Sequence, residues 1–132
     1  MRIDLTSIFV DDQREALAFY TEVLGFVLHH DIPLGEAAWL TVISPEGGAE
    51  LLLEPADHPA VAPYREALVR DGIPLAQFAV DDLVAEHARL IERGVVPDFR
   101  EPDIVRLGMS PLTTRYVDVY DGIATLAELA AG

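Results

Sequence analysis

The sequence predicts an α+β protein: two βαβββ modules in tandem, facing each other as an incompletely closed eight-stranded cup with the helices outside. Three observations predict it. Val10-Asp11-Asp12 opens a helix-like run that closes at Leu24-Gly25-Phe26, in the order strand, turn, helix, stop. A weaker copy runs from Val80-Asp81-Asp82 through Ile91 to Gly94. Each copy is followed by strand-like segments. A module of ~55 residues buries too little apolar surface on its own, so an internal repeat implies halves that complete one another. The expected organisation is one domain over 1–132, with module one at 1–55, a linker and short helix at 56–72, and module two at 73–132.

Residues 3 to 10 alternate and carry apolar side chains on both faces, as a strand covered on both sides does. Asp12 is a good N-cap, with Glu15 three residues on in capping-box position. Ala16, Leu17, Phe19, Tyr20, Val23 and Leu24 form a helical stripe, and Gly25 falls where a left-handed stop belongs. Strands follow at 26–33, 37–44 and 49–54, separated by Gly/Pro turns. A helix near 61–71 should carry Val61, Tyr64 and Leu68 on one side and stop at Gly72. In the second copy a strand at 74–80 leads to a helix capped by Asp82, with an inner stripe of Val84, His87, Ala88 and Ile91. Strands are expected near 95–100, 111–120 and 123–130, and residues 101–110, punctuated by Pro102 and Gly108, read as a loop.

Composition limits the function. No apolar run approaches the ~18 to 20 residues that span a bilayer, and no apolar signal-peptide core follows Arg2, so a soluble, cytoplasmic protein is expected. Without cysteine there is no disulfide, thiolate nucleophile or Cys-ligated zinc. A formal charge of −14 opposes nucleic acid and anionic membranes as partners. It suits a cationic ligand, although solubility alone accounts for it. Asp11-Asp12 and Asp81-Asp82 sit at helix starts, where one carboxylate caps the helix and favours its dipole.

The run Val-x-Asp-x3-Ala-Leu-x-Phe-Tyr-x3-Leu-Gly-Phe, here Val10 to Phe26, resembles the glyoxalase / bleomycin-resistance / extradiol-dioxygenase (vicinal oxygen chelate) superfamily. Trp39-Leu40-Thr41-Val42, Ser44-Pro45-Glu46-Gly47 and Glu50-Leu51-Leu52-Leu53-Glu54-Pro55 look like the middle strands of a bacterial glyoxalase-like branch, and Gly72-Ile73-Pro74 continues the match. The resemblance covers the whole chain and implies a homodimer. It implies no single activity, because this scaffold hosts isomerases, epimerases, dioxygenases, thiol transferases and drug-binding proteins.

Metal-dependent members of that family hold a divalent ion with His, Gln or Glu from the first and last strands of each module. The matching positions here are Leu5, Leu75 and Leu126, and leucine cannot coordinate an ion. The fourth position is Leu51, or Glu50 after a one-residue slip. No metal and no cofactor are therefore expected, with a divalent ion on Glu50 as the alternative. His29 and His30 are adjacent on a strand, so they should point to opposite faces and not easily share an ion. One of them would face the cup, where a general-base role is open to it. His58 is in the linker, and His87 reads as an edge-of-core residue.

Period 2 from the ligand-equivalent positions puts Ser7, Phe9, Gln77 and Glu128 on the cup-lining faces, with Trp39, Thr41 and Glu50 joining them. Such a cup is apolar with a few hydrogen-bonding points, as small-molecule pockets are. The expected function is binding of a small molecule in a metal-free cup, as the resemblance to bleomycin-resistance proteins implies. The alternatives are a glyoxalase-type lyase or isomerase, or a dioxygenase-like enzyme, with a non-standard site, and a structural module whose cup its own leucines close.

Overall fold

A computed structural model describes residues 1–95, 97–100 and 104–107. The chain divides into two compact units, Met1–Glu66 and a second that starts at Ala67. The first holds strands β1 (Leu5–Val10), β2 (Val27–Leu34), β3 (Ala37–Ile43) and β4 (Glu50–Pro55), with helix α1 (Gln13–Ala18) after β1. They form one sheet in the order β1-β4-β3-β2. β1 runs parallel to β4, and the other neighbours are antiparallel. The first module is βαβββ, as its sequence pattern predicts.

Asp12 caps α1: its carboxylate accepts from the backbone N–H of Arg14 at 2.7 Å and of Glu15 at 2.9 Å. The helix does not close as a regular α-helix. Residues Phe19–Val23 form a π turn, in which the Leu24 N–H donates to the Phe19 carbonyl at 3.2 Å. Gly25 then takes φ +78°, a conformation that side-chain-bearing residues rarely adopt.

The pairing register sorts the sheet into two faces. Val10, Ala38, Leu40, Val42, Asp31 and Leu53 share the face on which α1 packs, and Leu40, Val42 and Leu53 there are completely buried. Arg14 on α1 grips Asp31 on that face with a two-pronged ion pair of 2.6 and 2.9 Å. The β3–β4 ladder is short, with Thr41–Leu52 and Val42–Leu51 as its pairs. Beyond them the Gln13 side-chain amide enters between the strands. It donates to the carbonyls of Ala38 (2.8 Å) and Leu53 (2.7 Å), and its oxygen accepts from the Ala38 N–H (2.9 Å).

Tyr20 is buried between Phe19 and Phe26, both edge-on to its ring. Burial pushes its phenol up to about 12, from an ordinary 10.0. A phenol that loses its proton less readily in the folded state favours the neutral form there. The stability it carries is whole below pH 10 and falls as pH rises towards 12. At pH 11 the wild type should therefore have lost on the order of 1 kcal/mol more of its neutral-pH stability than Tyr20→Phe has. Urea unfolding of both proteins at pH 8 and 11 checks this.

Helix α2 (Val61–Arg70) buries Val61 as expected, but Tyr64 is exposed, which corrects the predicted stripe. Arg65 turns inward in its place, because Asp11 at the end of β1 takes its guanidinium in an ion pair. That pair holds the Asp11 carboxyl below its ordinary value.

The second unit contains β5 (Ala76–Ala79), α3 (Leu83–Glu92), β6 (Asp98–Arg100) and β7 (Ile104–Leu107), in the sheet order β5-β7-β6. The repeat of the first module is visible at both ends of α3. Asp82 caps it through the Ala85 N–H at 2.9 Å, and Gly94 ends it at φ +77°. Two expectations need correcting. The inner stripe is Leu83, His87, Leu90 and Ile91, while Val84 is 81 % exposed and Ala88 is exposed too. The segment read as a loop at 101–110 contains β7. Its β-branched Ile104 and Val105 pair with Ala79 and Phe78 of β5, outweighing the punctuation of Pro102 and Gly108. The strands predicted at 111–120 and 123–130 lie outside the described residues. Among the described residues no helix is long and apolar enough to cross a membrane.

Candidate ligand face and histidine cluster

The face of the first sheet turned away from α1 carries the candidate residues. In register, Leu5, Ser7 and Phe9 of β1 stand beside Glu50, Leu52 and Glu54 of β4. Thr41 of β3 stands beside Leu52, and Trp39 is two residues along the same strand. Ser7, Phe9, Trp39, Thr41 and Glu50 therefore share one face. Ser7 is exposed, Phe9 and Glu50 are half-buried, Trp39 is 38 % exposed, and Thr41 is completely buried. Pairing of Leu5 with Glu50 decides the one-residue ambiguity in β4: Glu50, and not Leu51, shares the face of Leu5. Gln77 is exposed on β5 in the second unit, and Leu75 precedes that strand. Leu126 and Glu128 lie outside the described residues.

The expectation that His29 and His30 point to opposite faces is wrong. The β2–β3 register runs from Leu28–Val42 to His30–Thr41, so β2 has one residue more than its partner at that point. Such a bulge breaks the strict alternation of a strand. Both imidazoles reach the same carboxylate: His29 Nδ1 is 3.0 Å from Glu50 Oε1, and His30 Nδ1 is 3.1 Å from Glu50 Oε2. Their ring centres are 4.2 Å apart. The Thr41 hydroxyl pins the bulge, accepting from the His30 backbone N–H at 3.1 Å and lying 3.2 Å from His30 Nδ1.

Glu50 is the electrostatic centre of this cluster. Hydrogen bonds from the Thr41 hydroxyl first, then from the two histidines, bring its carboxyl from an ordinary 4.5 down to about 2. The group is thus a carboxylate throughout the neutral range, with two imidazoles and a hydroxyl turned towards it. The arrangement can hold a cation or pass a proton between base and acid groups. The sequence named Glu50 and Thr41 but missed the pairing of the histidines, because no residue type near His29 marks a bulge.

A separate groove of about 600 Å³ lies at the N-terminal end of α1, where Asp11, Asp12, Arg14, Glu36 and Asp57 line it. None of the predicted pocket residues lines it. Three of its charged groups have local roles: Asp11 pairs with Arg65, Arg14 with Asp31, and Asp12 caps the helix.

The sequence profile of the glyoxalase/bleomycin resistance protein/dioxygenase superfamily matches residues 2–110. The chain belongs to that superfamily. An uncharacterised protein of Bacillus subtilis (strain 168), YurT, is 48 % identical over 97 residues, which are 72 % of this chain and 76 % of that one. The crystal structure of UcmS2 superposes with a TM-score of 0.59 at 29 % identity, over 83 % of this chain and all of that one. TnmS3, described as an antibiotic-binding protein from Streptomyces sp. CB03234, superposes with a TM-score of 0.59 at 28 % identity, over 82 % and 94 % of the two chains. Superfamily membership fixes the fold. It leaves the chemistry to the residues on the open face.

Proposed function

We propose that this superfamily member binds a small organic molecule on the open face of its first sheet, without the family's usual metal quartet. The observation that carries the reading is the make-up of that face. Aromatic and apolar surface at Phe9 and Trp39 adjoins a few polar points, at Ser7, Thr41 and Glu50, on a sheet backed by α1. Binding sites for drug-sized molecules have that make-up. Leucine at positions 5 and 75 removes ligand atoms that the usual metal centre needs. The antibiotic-binding description of TnmS3 supports a ligand of antibiotic size. A chain charge of −14 and an exposed indole favour a cationic, aromatic one. Gln77 and Glu128 are the second module's proposed contributions, and the working unit is proposed to be a homodimer, which light scattering tests.

One observation favours a second reading, a glyoxalase-type lyase or isomerase or a dioxygenase-like enzyme with a non-standard site. His29 and His30 on Glu50 supply acid and base groups within proton-transfer distance.

A thermal-shift screen of cationic aromatic antibiotics, metal-free bleomycin included, tests the first reading. A compound that binds only the folded state stabilises it by about 2.7 kcal/mol at 100 times its Kd. The expected result is a rise in Tm of several degrees for at least one compound. A panel that moves neither Tm nor Trp39 emission contradicts it.

A further inference from the structure

The geometry points to a binding site for a divalent first-row transition-metal ion formed by His29, His30 and Glu50. This site is not the family quartet that Leu5 and Leu75 abolish. Two of its three ligands come from β2, and all three belong to the first module.

Two ligand atoms about 2.1 Å from an ion and at right angles around it lie about 3.0 Å from each other. The separations from His29 Nδ1 and His30 Nδ1 to the Glu50 oxygens are 3.0 and 3.1 Å. One donor atom from each of the three residues fits within a 4.8 Å cluster. The backbone is already arranged for this, since the bulge at His29 turns two consecutive imidazoles to one face and Thr41 holds it there. Thr41 Oγ1 also lies 3.2 Å from His30 Nδ1, which keeps that ring beside the Glu50 carboxylate until an ion takes the Nδ1 lone pair.

Two imidazoles and one carboxylate select the kind of ion. Imidazole nitrogen suits zinc, cobalt, nickel, copper and iron(II), whereas magnesium and calcium prefer oxygen alone. Three protein ligands leave coordination positions open. Both histidine side chains are more than two-fifths exposed, so water or a ligand oxygen reaches those positions.

The test is equilibrium dialysis of metal-free protein against Co²⁺, with the visible absorption of bound cobalt as a second readout. One ion per chain is expected. Glu50→Gln and His30→Gln should each weaken binding at least tenfold, while His87→Gln on α3 should bind as the wild type does. Zn²⁺ should raise the Tm of the wild type and leave that of Glu50→Gln unmoved, and Mg²⁺ should do neither. If Glu50→Gln fails to fold, as circular dichroism would show, His29→Gln at the half-exposed bulge residue carries the comparison. Sub-stoichiometric uptake by folded wild type, or uptake that survives these substitutions unchanged, overturns the assignment. The ion is its own probe, so this outcome is read independently of any organic ligand.

Discussion

Replacing Leu40 by alanine is expected to destabilise the first unit by about 3 to 4 kcal/mol, because a fully buried leucine loses both its transfer energy and its packing. Leu40 has no exposed surface and lies on the central strand β3, on the face that α1 covers. Val42 and Leu53 on the same face are equally buried, so the sheet behind the gap is fixed and has little freedom to collapse into it. Typical stabilities are about 5 to 15 kcal/mol, and such a loss is a large part of that range. Trp39, the sole tryptophan, neighbours Leu40 in sequence and reports on this sheet. Urea unfolding followed by its emission should show a lower midpoint at unchanged slope. Val84→Ala, at a side chain that is 81 % exposed, is the control and should stay within about 0.5 kcal/mol of wild type. Equal effects at Leu40 and Val84 would contradict the placement of the core.

Gln13→Ala is expected to cost about 2 to 3 kcal/mol through polar groups instead of packing. The Gln13 amide satisfies two carbonyls and one N–H where β3 and β4 no longer pair with each other. Ala38 and Leu53, which supply those groups, are buried, so alanine would strand them with restricted access to water. Each buried polar group left without a partner costs about 1 to 3 kcal/mol, and partial hydration lowers the sum. Gln13→Glu should be at least as damaging, because it replaces the donating NH2 with an oxygen that faces two carbonyls. Denaturant unfolding of both variants reads this out, and a loss below about 0.5 kcal/mol for either would show that the bridge is dispensable.

These two residues also show what the sequence could convey. Leu40 belongs to a strand whose alternation and apolar run are plain. The caps at Asp12 and Asp82 and the stops at Gly25 and Gly94 are local chemistry, legible because one residue makes the bond or takes the dihedral. Gln13 was opaque. Its partners are 25 and 40 residues away, and a glutamine in a first helical turn ordinarily faces water. The helix stripes failed at Tyr64 and Val84 for a related reason: apolar spacing says that a face exists, and the facing element decides which face it is. Arg65 is drawn in by Asp11, and Tyr64 is left outside. The candidate face was half legible. Strict alternation placed Ser7 and Phe9 together, and the parallel register then added Glu50. The histidine pair was not legible, because one inserted residue at His29 reverses the parity on which the reading depended.

The claim on which the functional account rests is that the ligand sits on the sheet face that bears Trp39. Titration of Trp39 emission with metal-free bleomycin, and with each compound that raises Tm, measures it directly. The account predicts a saturable change in emission whose midpoint matches the affinity from the thermal shift, weakened at least tenfold in Trp39→Phe as read by calorimetry. A compound that stabilises the protein fully while leaving Trp39 emission unmoved, and that binds Trp39→Phe equally well, would place the ligand elsewhere and contradict the account.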